Sequence, residues 1–465
     1  MSITPVRPAA AIDRARRALL RRAGLLAGAG TAAPVALNLS LMGEAAAAAG
    51  AGGYRALVCV FLYGGNDHAN TVVPADDAHH ASYARLRGPL ATPRAALHAT
   101  TLAPAAPLPG GLRLALAPQL APLLPLWNAG DMAVQLNVGP LVLPTNVAQY
   151  HARAVPLPPK LMSHNDQQSI WQSALAEGAR TGWGGRIGDL LLSGNGGSLF
   201  TCTSVTGNAV FLAGGTAVQY QLGSHGAVPI RGIEQSLYGS LAAQAALRQL
   251  VTLPHAHLFG NAYTAITRRS IDAELRVTEA LGALPALDTA FPADPLAMQL
   301  RTVARMIAAR GAFGVTRQVF FVSHGGYDLH NGLLETHPVL LSQLGRALRA
   351  FYDATVELGV AQQVTTFTAS DFGRALTCNG DGSDHGWGAH HLMIGGAVKG
   401  RSFYGSAPAI AVNGPDDIGQ GRLLPTTSVD QFSATLAAWL GVPDTDLVDV
   451  APNLPNFSAR KLGFL

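Results

Sequence analysis

Arg55-Ala56-Leu57-Val58-Cys59-Val60-Phe61-Leu62, followed at once by Tyr63-Gly64-Gly65-Asn66-Asp67, is the stretch on which the fold turns. Side chains alternate between the two faces of a strand, and here both sets are apolar, so neither face is reserved for water. Such a run reads as a central strand buried on both sides, as in a parallel sheet. Glycines, Asn66 and Asp67 then make a loop of turn residues.

Working outward, Met132–Val138, Gln318–Ser323, Val364–Thr368 and His391–Ile394 are further strand candidates, short and rich in β-branched or apolar residues. Between them lie helical patterns. Ser163 to Leu175 opens on a serine suited to a cap; Leu341, Leu344, Leu348 and Phe351 form a stripe; Val429 to Leu440 is stopped by Gly441 and Pro443. The region 230–310 is largely helical, with Leu296, Leu300, Val303 and Ile307 at helical spacing. Strands alternating with helices predict an α/β fold: a mostly parallel sheet covered by helices on both faces.

In such sheets ligands bind beyond the carboxyl ends of the strands. Four polar clusters fall at or near those positions. They are Gly64–Thr71, Ser323–Asn331, Ser370–Arg374 and Asp384–His391. Carboxylates and imidazoles gathered at one sheet edge suit a divalent metal of the zinc or calcium/magnesium kind, one ion or two. Without a cation, carboxylates brought together would tend to protonate. Taken singly, an Asp beside glycines is a turn residue, and His324 or His330 a hydrogen-bonded loop histidine. His390 and His391 would point to opposite faces of a strand. Ser163, at a helix amino end where anions are favoured, is a nucleophile candidate with His164 beside it, though from local sequence alone a plain helix cap is the favoured reading, serine being a preferred cap.

Composition sets bounds. At 48% hydrophobic and 13% charged, the chain can bury a large core. Arg14, Arg16, Arg17, Arg21 and Arg22, followed by an Ala/Gly/Leu stretch and small residues to Ala49, form a twin-arginine export signal over 1–49. That segment accounts for the net charge of +4, so residues 50–465 carry no basic stripe for nucleic acid. This reading predicts one exported domain over 50–465, periplasmic or extracellular, without a membrane span. The three cysteines, Cys59, Cys202 and Cys378, are far apart and argue against a disulfide framework or zinc knuckle. Oligomeric state is open.

Taken in order, these clusters resemble the bacterial family known as "domain of unknown function 1501". The resemblance runs from about Ala56 to the carboxyl end. It includes LVCVFLYGGNDHANTVVP, the segment from Ser163 to Gln172, Gly182-Trp183-Gly184-Gly185-Arg186, Gly325–His330, Ser370–Arg374, Asp384-His385-Gly386 and Gly395–Gly400. That family is similar to the alkaline phosphatase and sulfatase superfamily, which implies an alkaline phosphatase-like core. The resemblance makes Ser163 the nucleophile. It makes Asp328, His330 and His385 ligands of one metal, and Asp67 and Asp371 ligands of another. His324 and His337 are alternatives to His330. Phe372 departs from the pattern, which often has a histidine there.

The expected function is an exported metal-dependent hydrolase of phosphate or sulfate esters, acting on a small-molecule or polysaccharide ester. In it Arg186 or Arg374 clamps the anion and His385 or His330 positions the leaving oxygen. The rival is a non-catalytic envelope or extracellular binding protein that keeps the fold.

Overall fold

The computed structural model describes residues 53–465, and the export signal read over 1–49 lies outside them. Tyr54–Leu465 form one compact unit. Its main sheet has nine strands. In chain order they are β1 (Arg55–Leu62), β2 (Met132–Gly139), β3 (Cys202–Ser204), β4 (Tyr220–Gln221), β5 (Arg317–His324), β6 (Val364–Ser370), β7 (Ala389–Ile394), β8 (Phe403–Tyr404) and β9 (Thr427–Ser428). Across the sheet the order is β8-β2-β7-β6-β1-β5-β3-β4, with β9 pairing to β2.

β1 lies between β5 and β6, parallel to both, with Leu62 level with His324 and Ser370. The three strands therefore end at one edge. β7 is the exception, antiparallel to both β2 and β6. The sheet is thus mostly parallel rather than wholly so. β7 enters from the paired strands Arg374–Cys378 and Ser383–His385, which fold back over the sheet edge and reverse the chain.

The alternation in β1 divides the interior. Ala56, Val58, Val60 and Leu62 belong to a core completed by α6 (Pro295–Ala308) and α7 (Leu333–Glu357). Leu57, Cys59 and Phe61 face the opposite core, with Ile187 of α3 (Trp183–Leu191) and Val429, Phe432, Leu436 and Leu440 of α8 (Val429–Leu440). Helices cover both faces because neither set of β1 side chains tolerates water. All three cysteines are free thiols. No helix among the described residues is long and apolar enough to cross a membrane.

The expected helical region holds α4 (Leu241–Thr252), α5 (Leu258–Gly282) and α6. Two more helices frame the sheet edge: α1 (Asp77–Arg87) and α2 (His164–Ser173).

Candidate metal centre

The loop after β1 is held against its neighbours by backbone contacts that demand glycine. Gly64 and Gly65 have φ of +112° and +83°. A Cβ at Gly64 would collide with the Asp328 backbone, and one at Gly65 with the Phe372 ring. Ser370 locks the loop further: its Oγ donates to Leu62 O at 2.6 Å and accepts from Asn66 N–H at 2.8 Å. The ends of β1, β5 and β6 are thereby fixed together, as the strand-edge rule requires.

Asp328 is the hub. Its Oδ1 accepts from Arg374 Nη1 at 2.7 Å and lies 3.1 Å from His385 Nε2 and 3.2 Å from His330 Nε2. Its Oδ2 lies 3.4 Å from His164 Nε2. Burial alone would raise the Asp328 pKa. The hydrogen bond and charge of Arg374, helped by His164 and His385, hold it below the usual carboxylate value.

The far nitrogen of each ring is anchored. His164 Nδ1 lies 2.6 Å from Asp371 Oδ2, His385 Nδ1 lies 2.8 Å from Met162 O, and His330 Nδ1 lies 3.3 Å from Asp384 Oδ1. A carbonyl or carboxylate oxygen accepts, so Nδ1 donates in each case and the neutral ring leaves Nε2 bare. Three bare nitrogens then face one carboxylate, and His330 Nε2 sits 2.8 Å from His385 Nε2. Acceptors do not attract acceptors. The side chains of Asp328 and His330 are 45% and 44% exposed, so water, protons or a cation could each separate these acceptors. The hydrogen bond His164 donates to Asp371 raises the His164 pKa, but burial lowers that of His385, which opposes protonating the whole set.

Among the described residues, His164, Asp328 and His385 form a group whose donor atoms all lie within 4.8 Å of one another. Two imidazoles and a carboxylate fit zinc or another imidazole-binding transition metal better than calcium or magnesium, which prefer all-oxygen shells. Nδ1 bonds to a carboxylate and a carbonyl are the usual outer support of metal-binding histidines.

The arrangement revises the sequence expectation in several places. Asp371, expected as a ligand beside Asp67, instead bonds His164 and accepts from Gln168 Nε2 at 2.7 Å. Asp67 pairs with Arg87, whose Nη1 also donates to Ala375 O at 3.0 Å. Both partners of that pair are fully buried, so the Asp67 charge is balanced by a guanidinium. Each of the two carboxylates, Asp67 and Asp371, keeps its other oxygen, Oδ1, buried without a hydrogen-bond partner among the described residues. His164, expected beside the nucleophile, faces Asp328 together with His385.

Neither alternative histidine joins the group. His337 Nε2 lies 2.9 Å from Asn66 Oδ1, and burial lowers its pKa to about 4. His324 lies between Tyr327 Oη and Gln343 Oε1, each at 2.9 Å. His390 and His391 diverge as the strand geometry requires: one accepts from Asn137 N–H, the other lies 3.2 Å from Thr368 Oγ1.

Both candidate anion clamps are committed elsewhere. Arg186 donates to the carbonyls of Ser173, Thr181 and Val450, tying α2 to the carboxyl-terminal segment. Arg374 is fully buried and holds Asp328, Gly64 O and Ser383 O. A third guanidinium, Arg422, donates to His385 O at 2.9 Å.

Ser163 is the cap residue of α2, yet its side chain makes no capping bond. Its Oγ instead donates to Asp166 Oδ2 at 2.8 Å, and Lys160 Nζ lies 3.6 Å from Asp166 Oδ1. Ser163 stands between Met162, which anchors His385, and His164. Met162 achieves this with a left-handed backbone, φ 65°. Phe372 packs against the same two rings, 4.9 Å from His164 and 4.5 Å from His385, which themselves meet edge-on at 4.4 Å.

Residues 255–455 match the model of a family described as "Protein of unknown function (DUF1501)". No curated protein matches the chain. Among solved structures, the chain is similar to "Crystal structure of Ps i-CgsB in complex with k-i-k-neocarrahexaose". The identity is 12%, with 87% of this chain and 77% of that chain covered and a TM-score of 0.36. A likeness that distant carries no argument about fold or activity.

Proposed function

We propose that the protein is an exported, metal-dependent hydrolase of phosphate or sulfate esters with a single metal held by His164, His385 and Asp328. The observation that carries this reading is the set of anchored histidines whose bare Nε2 atoms converge on the Asp328 carboxylate. A bound divalent ion would supply Lewis acidity, polarising a phosphoryl or sulfuryl oxygen. Every other part of the chemistry falls to the chain. Asp371 and Gln168 keep the His164 ring in place, and Arg374 keeps Asp328 ionised. Ser163 attacks phosphorus or sulfur as its proton passes to Asp166, the carboxylate it already faces. The bond to the ester oxygen breaks, that oxygen leaves with the proton returned by Asp166, and water then hydrolyses the seryl ester to free Ser163. The first turn of α2 favours the ester anion through its dipole.

The test is turnover of an aryl phosphate and an aryl sulfate by zinc-loaded protein. The reading expects hydrolysis of at least one, lost in Ser163→Ala with metal retained. Unchanged turnover in that variant would overturn the role of Ser163; no turnover by metal-loaded wild type would overturn the hydrolase. The export proposal rests on residues 1–49 and expects an envelope-localised chain that begins near residue 50. A chain retained in the cytoplasm with those residues intact would refute it.

A second reading has its own observation. Phe372 packs against the two ligand rings and the Arg87 guanidinium balances the Asp67 charge. Both suit a protein that keeps one metal for binding and performs no hydrolysis. It expects metal and polysaccharide to bind while both esters stay intact.

A further inference from the structure

Among the described residues, ten of the seventeen large apolar side chains left exposed fall between Val228 and Ile266. The helical hairpin of α4 and α5 concentrates them. Leu241 and Leu250 on α4, and Leu258, Phe259, Tyr263 and Ile266 on α5, are each 53–76% exposed. α4 contributes no buried residue at all. The far end of α5 packs into the main core through Val277 and Leu281, so the hairpin is anchored at one end and apolar at the other.

The face has a direction and a charge. Phe259, Tyr263 and Ile266 follow one another at four and three residues, a single stripe on the helix, and Arg269 continues it three residues on. Arg268 donates to Thr252 O, joining the two helices at the end of that stripe. No Asp or Glu occurs between Glu234 and Asp272, while Arg248, Arg268 and Arg269 do. Residues 50–465 as a whole are close to neutral, so this concentration of one sign is local.

We infer that the α4–α5 hairpin docks the protein on an anionic phospholipid surface, its apolar stripe at the headgroup boundary and its arginines on the lipid phosphates. Apolar and aromatic residues on one face with arginines beyond them are what an interfacial helix needs, and the first acid, Asp272, comes only toward the anchored end. Charge decides against the other occupants. A two-fold related copy would bring basic rim against basic rim, a like-charge contact that costs affinity. The amino-terminal residues are themselves rich in arginine and complement the patch no better. The membrane contact is peripheral, since neither helix qualifies as a span.

The experiment is flotation of the exported chain, beginning near residue 50, with vesicles of phosphatidylcholine alone or with phosphatidylglycerol added, at low and high salt. Two variants are compared in the same chain: Phe259→Ser/Tyr263→Ser and Arg248→Glu/Arg269→Glu. These side chains are exposed, and unchanged thermal unfolding serves as the check on folding. Wild type should float with anionic vesicles and be released by salt. The charge-reversed variant should partition at least tenfold less, from about a factor of five per basic residue, and the serine variant should also lose binding. Equal flotation of all three proteins would overturn the inference. So would concentration-dependent dimerisation abolished by Phe259→Ser/Tyr263→Ser, which would assign the face to a second copy.

Discussion

His164 Nδ1 lies 2.6 Å from Oδ2 of Asp371, a residue with no exposed surface. This pair sets which nitrogen of His164 is bare and where it points. Asp371→Asn would keep the shape and remove the charge that orients the ring. We expect the protein to stay folded and its zinc affinity to fall by roughly 10- to 100-fold, the usual cost of losing an outer carboxylate. Competition with a chromophoric chelator measures this. Unchanged affinity would make Asp371 a bystander.

Metal uptake should also depend on pH through His164. Its pKa is raised, first by the Asp371 hydrogen bond, so protons compete for Nε2 at higher pH than at an ordinary histidine. Burial lowers the pKa of His385, which competes less. Zinc affinity measured over roughly pH 5 to 8 should fall with acidification, and the fall should begin at lower pH in Asp371→Asn. In metal-free protein the sign reverses. There the His164–Asp371 pair stabilises the fold fully below the ordinary histidine pKa, and that contribution is lost as pH rises through the raised value.

Much of this was legible in the sequence because it is local. β1 and α8 run over the expected residues, since apolar continuity and a helix stopped by Gly441 and Pro443 are short-range signals. Asp328, Asp371 and His385 stand out because each closely follows a strand or sits in a polar loop. The antiparallel course of β7 was not legible, because strand direction depends on how the hairpin over the sheet edge returns. Arg87 was missed for a similar reason: it lies at the end of α1 with no motif around it, and only the fold brings it to Asp67. The carbonyl of Met162 carries no side-chain signature at all.

The Asp67–Arg87 pair separates a structural role from a metal role. Removing one partner of a buried pair strands a charge, so Asp67→Asn or Arg87→Met alone should cost about 3–5 kcal/mol of stability. Asp67→Leu combined with Arg87→Met should recover most of it, as apolar replacements of buried pairs commonly do. Urea unfolding of the four proteins gives the comparison. If Asp67→Asn instead removed a bound metal with stability intact, the two-metal arrangement would be restored.

Asp76 makes a prediction remote from the site. It caps α1 by accepting from His79 N–H at 3.0 Å, and it also accepts from Arg113 N–H at 2.9 Å. Partial burial works to raise its pKa, but these bonds, with the His79 ring, outweigh it and lower the value to about 2. Its stabilisation is present above the ordinary Asp value near 3.8 and lost as pH falls through about 2. Asp76→Ala should cost about 1 kcal/mol at neutral pH, and the gap to wild type should close on acidification in thermal melts.

The central claim is one metal held by His164, His385 and Asp328. Elemental analysis of protein purified without chelator, beside His164→Ala and His385→Ala, tests it most directly. We expect one equivalent of a transition metal per wild-type chain and loss of it in both folded variants. A folded wild type that stays metal-free after zinc loading, or variants that retain the full equivalent, would contradict the account.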